Sequence, residues 1–408
     1  MTTTAHREEL SPLRIPAFRA LAAGRLIDML GNSVATVALA FAVLDLTGSL
    51  TYLGLVVGAR TVANVIFVLF GGVLADRMPR RLLLVSSTGL AAVSQAAVAA
   101  VVLTGIASVP LLVVLSAVNG LAAAVALPAS AALLPQTVPE GARQRANSVI
   151  RLGMNAANIL GVSVGGILVA AIGPGEGLAI DALSFAIAGL CFALVRVGPH
   201  TTSERSESLT RQLRDGWTEV RSRDWVWIVV LTFLVLNACF GAYMEVLGPY
   251  IADTSFGRRD WGFIVGAQGV GLLFGALLAM RIRVPRLLLL GCACMASIAL
   301  MPLMLAVWPS TVPLMVAAFA AGLGLDVFAV AWDTSLQQHI PEDKLARVVS
   351  YDILGSVIAI PVAQIAAPPV VHAIGLGPTL WVMTLVVLGC VLAMVTTSGV
   401  RSLRQPGH

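Results

Sequence analysis

The chain has 408 residues, of which 58% are apolar and 12% charged, with a net charge of +5 and a mean hydropathy of +0.91. Soluble domains carry about 25% charged residues, so this composition excludes a water-soluble enzyme or nucleic-acid binder and identifies an integral membrane protein. The excess of positive charge is then informative through its placement rather than its sum.

A hydrocarbon core of ~30 Å takes about 20 apolar residues per helix. In chain order this predicts spans near 17–44, 51–74, 82–104, 109–134, 146–171 and 177–196. A second set follows near 225–250, 260–281, 286–306, 311–338, 346–372 and 377–398. The first sixteen residues, MTTTAHREELSPLRIP, are polar and mixed in charge, unlike a cleaved signal peptide, so the first helix is expected to remain. Between the sets, 198–224 is the long polar segment, and its LTRQLRDGWTEVR tail predicts an amphipathic surface helix. The expected organisation is a bundle over 1–197, a cytoplasmic linker over 198–224 and a second bundle over 225–408.

Arg77, Arg80, Arg81, Arg143, Arg145, Arg281, Arg283, Arg286, Lys344, Arg347, Arg401 and Arg404 all fall at one side of such a path. Arg258 and Arg259 lie at the other, beside Asp253 and Asp260. The positive-inside rule therefore predicts cytoplasmic termini. The halves also repeat: LLPQTVPEGARQRANSV at 133–149 matches LQQHIPEDKLARVVS at 336–350, and LGLVVGA at 53–59 matches WGFIVGA at 261–267. Six spans repeated once is the architecture of many secondary transporters. Lys344, the single lysine, stands without the glycines of a phosphate-binding loop, so no nucleotide motor is expected. Five cysteines in apolar runs give no disulfide framework, metal site or cofactor.

Several spans carry polar residues. On the first, Arg25, Asp28, Asn32 and Thr36 share a helical face. From a start at residue 17, Asp28 lies ~16 Å deep at 1.5 Å per residue, and Arg60, descending on the second span, reaches a similar depth. An Asp28–Arg60 pair is expected, with Arg25 competing for the carboxylate; it serves either proton or substrate coupling or as a fixed structural link. The fifth span has Arg151 for gate or substrate, beside a stripe that includes Gly161 and Gly165; the eighth has Gly266 and Gly275. These small residues are expected to pack the contact between halves. Asn119, Glu245 and Asp326 are further candidates for substrate or proton coupling, and Asp333 for a gate. Asp181 is placed near an end of the sixth span. Trp225, Trp227 and Trp308 are expected as interfacial anchors.

The stretch GGVLADRMPRRLLL at 71–84 resembles motif A of the major facilitator superfamily, with Gly71, Ala75, Asp76, Arg77, Arg80 and Arg81 in the matching positions. LDLTGSLTYLGLVVGAR at 44–60 and the VPEGARQRANS turn resemble the drug-exporter branch that includes macrolide efflux proteins and enterobactin-type siderophore exporters. The resemblance implies an all-α membrane fold of twelve spans in two pseudo-repeats, alternating access, and a monomer in the cell membrane. It also implies a latch in which Asp76 meets the start of the eleventh span, completed by Arg80, and it places spans 1, 4, 7 and 10 around the cavity and 3, 6, 9 and 12 toward lipid. Two positions depart from it: Asn119 stands where proton-coupled members often have Arg, and Val162 in GVSVGG where they have Pro. The expected function is proton-coupled export of a lipophilic or amphipathic small molecule. Import, lipid carriage and a transporter-like sensor are the alternatives.

Overall fold

The computed structural model describes residues 12–196, 221–282, 284–341, 344, 348–349, 352 and 355–404, without the side chains of 69–77, 127, 132, 140 and 144. Twelve helices among the described residues are long and apolar enough to cross a membrane. They are α1 (Pro16–Thr47), α2 (Leu50–Arg77), α3 (Arg80–Leu103), α4 (Val109–Thr137), α5 (Arg143–Ile172) and α6 (Pro174–Ala193). The series continues with α7 (Asp224–Thr254), α8 (Arg258–Ala279), α9 (Leu287–Val307), α10 (Thr311–His339), α11 (Gly355–Ile374) and α12 (Leu376–Thr396). The amphipathic helix expected before residue 224 lies outside the described residues.

By proximity the chain forms two compact units. The first holds the described residues up to Leu39, Ala59–Leu168, and those from Ile172 to 196; the second holds Ala40–Gly58, Val169–Ala171 and the described residues from 221 onward. In the first unit α3 packs along α4 and α6. Its core gathers Phe18, Leu21, Leu84, Leu133, Ile150 and Phe192. In the second unit α8 and α10 make the most extensive pairing, and α7 packs on α11 and α12.

Long apolar side chains also point outward. Val93 on α3, Leu190 on α6 and Leu385 on α12 are each more than 60% exposed. In water such rows would drive aggregation, whereas in hydrocarbon they cost nothing. Leu152 on α5, Val316 on α10 and Val362 on α11 are as exposed, so the pattern fits a membrane setting without singling out the third, sixth, ninth and twelfth spans.

Two helices are irregular where proline dictates it. In α7, Pro249 has no N–H to offer the Glu245 carbonyl four residues back. The turn Tyr243–Leu247 relaxes into π-helix, and the Gly248 N–H bonds the Tyr243 carbonyl five residues earlier. In α9, Met295–Ala299 tightens to 3-10 helix ahead of Pro302. Trp225 departs from its expected place at an interface. It is buried, edge-on to Trp332 with centroids 5.7 Å apart, because α7 packs it inward onto α10. Trp227 and Trp308 are exposed as expected of anchors.

Candidate functional site

The polar groups of the first unit converge on the middle of α1. Arg60 is set there by a close approach of α4: a Cβ on Gly120 would stand 2.1 Å from the Arg60 carbonyl, so only glycine lets the two backbones meet. Asn64, one turn along α2, donates to the Gly120 carbonyl at 3.3 Å and ties the same contact. With its backbone held, Arg60 reaches across to α1 and donates to Asn32 Oδ1. Asp28, one turn from Asn32, is half-buried, and Arg25 and Arg60 are its cationic neighbours. The expected Asp28–Arg60 pair is not among the ion pairs of the described residues; the hydrogen bond of Arg60 goes to Asn32.

On the neighbouring face of α1, Ser33 donates to Asn158 of α5 at 2.9 Å. Gly161 and Gly165 of α5 meet Leu30 and Val34 of α1 in close backbone contact. In the second unit, Gly275 of α8 meets Leu323 and Asp326 of α10, and Gly266 is buried. The close approaches described for these glycines, apart from Gly266, are therefore to α1 and α10 of their own unit. Asn119 is 3% exposed and donates to Gln95 of α3 at 3.4 Å, which gives the one amide on that helix a partner.

Asp181 differs from its sequence reading. Because α6 begins at Pro174, Asp181 lies about 10 Å along the helix at 1.5 Å per residue. It is 1% exposed. It faces Gly31 of α1, where a Cβ would stand 2.8 Å from Asp181 Oδ1 and 1.8 Å from Ser184 Oγ. The available signal was an aspartate inside LAIDALSFAIAG with a serine three residues on, that is, one turn away.

In the second unit Glu245 sits within the π-turn of α7 and is half-buried. Gln364 of α11 donates to its Oε2 at 2.8 Å. Gln364 is fully buried, and Pro368 four residues on frees its carbonyl, against which Gly54 of α2 packs. Neither Gln364 nor the π-turn was legible from hydropathy, because each depends on a proline acting on a carbonyl one turn away. Asp326 is half-buried and Asp333 exposed on α10, and Arg151 is exposed on α5. Arg80 is half-buried, and Arg81 donates to the Ala193 carbonyl. The side chains of Gly71, Asp76 and Arg77 lie outside the described residues.

The α1–α2 hairpin, turning at Gly48 with φ +59°, belongs to the second unit. Arg258 of α8 grips Asp45 with two N–H groups, one at 3.0 Å to Oδ2, and Asp253 at 2.6 Å. Its guanidinium also lies 4.9 Å from the Phe41 ring centroid.

Twelve apolar helices with charged and polar groups at mid-helix define a polytopic membrane protein. The family model of the Major Facilitator Superfamily matches residues 21–266, more than half of the chain, which belongs to that family. The chain is similar to the multidrug efflux pump Tap of Mycolicibacterium fortuitum, 26% identical over 392 residues covering 92% of this chain and 93% of that protein. It is 27% identical over 406 residues to the multidrug efflux pump Tap of Mycobacterium tuberculosis (strain ATCC 25618 / H37Rv), covering 96% and 95%. Among solved structures, the nucleoside transporter NupG superposes with a TM-score of 0.73 at 14% identity, over 93% of this chain and 98% of that one. A bacterial homologue of the iron transporter ferroportin in its inward-facing state gives 0.72 at 18% identity, over 94% and 98%. The protein is thus a multi-pass cell-membrane transporter of small molecules, from a family of carriers rather than of enzymes.

Proposed function

We propose that the protein exports a lipophilic or amphipathic small molecule in exchange for protons, by alternating access. The observation that carries this reading is the half-buried Asp28 carboxylate with Arg25 and Arg60 as cationic neighbours, Arg60 already engaged by Asn32. A carboxylate inside a membrane span, balanced by cations that have alternative partners, changes its proton affinity when those partners move. Asp28 is the coupling carboxylate; Arg25, Asn32 and Arg60 set its balance. Glu245 and Asp326 contact cargo from the second unit, with Asn119 supporting the first. Motif A (Gly71, Asp76, Arg77, Arg80 and Arg81) with Arg151 and Asp333 gates the Arg-rich side, taken as cytoplasmic, and the working unit is a monomer. Full-length similarity to two multidrug efflux pumps supports export and a broad cargo range.

The test is substrate-evoked proton movement in proteoliposomes loaded with a pH dye, across lipophilic drugs and siderophore-like compounds. A cargo-dependent signal is expected, and its loss in Asp28→Asn with cargo binding retained. Cargo movement without proton movement would remove the coupling claim, and movement only in the opposite sense would make the protein an importer.

A further inference from the structure

Asp181 stands apart from the residues used so far. It is a carboxylate with 1% exposure in the interior of a span. Its Oδ2 has no hydrogen-bond partner among the described residues. An ionised carboxylate placed this way would bear a large desolvation cost.

The one hydroxyl beside it speaks to its protonation. Ser184 Oγ lies 2.8 Å from the Asp181 carbonyl oxygen and 3.3 Å from Asp181 Oδ1. A serine has a single proton to give, and the shorter contact takes it. The Oδ1 contact is the longer of the two, so the carboxyl group receives little of that proton. A neutral acid, whose carbonyl oxygen is far cheaper to bury unpaired than a carboxylate oxygen, fits such a site.

The charged groups facing Asp181 are few. From α1 there is Asp28, one turn from the Gly31 position that Asp181 abuts, and from α2 there is Arg60. Helix α3, which packs along α6, and α4, which packs on α3, have no ionisable side chain between Arg81 and Thr137. The cluster therefore holds two carboxylates with Arg60 within reach of both.

We infer that Asp181 is a second proton-binding site that shares one proton with Asp28. With the proton on Asp181, Asp28 is the anion balanced by Arg25 and Arg60. When Asp28 takes a proton, Asp181 gives its own up and becomes the anion, and Arg60 transfers its compensation from one carboxylate to the other. Protons and charge balance in that exchange: one acid and one carboxylate stand on each side. Gly31 makes room for Asp181 against α1, since any side chain there would occupy the space of Ser184 Oγ and Asp181 Oδ1. This rests on the proton-coupled reading above and adds a residue to it.

Infrared difference spectroscopy of the protein in lipid tests the site without reference to cargo. At neutral pH a carbonyl band of a protonated carboxylic acid is expected, absent in Asp181→Asn and shifted in Ser184→Ala. A wild-type spectrum without that band, or one that Asp181→Asn leaves unchanged, overturns the inference. Should Asp181→Asn fail to fold, Asp181→Glu must move the band, and an unmoved band overturns it equally. In proteoliposomes Asp181→Asn is expected to lower proton-driven efflux on the order of tenfold, the scale of a coupling free energy, and to flatten its pH profile. A wild-type pH profile in that variant counts against the shared proton. If wild type moves cargo without protons while the band is present, the coupled-export reading fails and the proton site stands.

Discussion

At the level of single residues, the first unit is decided by where side chains are missing as much as by where charges stand. Gly31 admits Ser184 and Asp181, and Gly161 admits the Leu30 carbonyl. Gly31→Ala is expected to destabilise the protein by about 1–3 kcal/mol through overpacking. Ser184→Gly removes the two atoms nearest the new methyl and is expected to recover part of that loss, so the pair is non-additive in thermal unfolding. Gly161→Ala meets a backbone oxygen at 2.6 Å, and no side-chain truncation is expected to rescue it. The polar face of α1 and the matching depth of Arg60 were legible in the sequence because helical period and rise follow from chain geometry alone. That Arg60 would donate to Asn32 was not. Both acceptors lie on the same face one turn apart, and the choice depends on how Gly120 seats the α2 backbone.

Elements add what no single residue holds. Pro249 opens α7 into a π-turn at Glu245, and π-turns inside helices are frequent at functional sites. Pro249→Ala restores the missing N–H and is expected to stabilise α7 by up to about 3 kcal/mol. The same change re-aims Glu245 and is expected to lower transport severalfold, so a melting temperature that rises while efflux falls is the signature to seek. A variant with unchanged efflux would make the π-turn a packing feature only. Gln364→Leu removes the amide donated to Glu245 and is expected to act in the same direction on efflux. The glycine stripes of α5 and α8 were visible as spacing, but spacing does not name a partner. Each stripe can serve any helix that comes close, and the contacts described run to α1 and α10.

For the molecule as a whole, alternating access requires ends that can open. The hairpin between α1 and α2 is held to α8 by Arg258 through Asp45 and Phe41. These side chains are partly exposed, 24% for Arg258 and 43% for Asp45. Exposed pairs of this kind contribute about 0.2–1 kcal/mol each. Arg258→Ala is therefore expected to shift the melting temperature little. A transport rate changed well beyond that in the same variant would identify the clamp as a gate. Orientation is open to a direct check in a background with the five native cysteines replaced. An impermeant maleimide added to intact cells is expected to label Thr51→Cys, near the hairpin, and to reach Gly141→Cys only after permeabilisation.

The twelve spans and the membrane setting were readable along the chain. Each follows from local quantities: how many apolar residues run together, and where the arginines interrupt them. Motif A and the polar face of α1 belong to the same level, since both are patterns along one stretch of chain. The tertiary structure decided which groups meet. It placed Asp181 against Gly31, took Trp225 inward onto Trp332, bound Asn119 to Gln95 and set Gln364 on Glu245. In each case the partners lie tens to more than a hundred residues apart. Their meeting depends on helix rotation and close backbone approach, which hydrophobic periodicity leaves free inside a membrane because lipid is as apolar as the core.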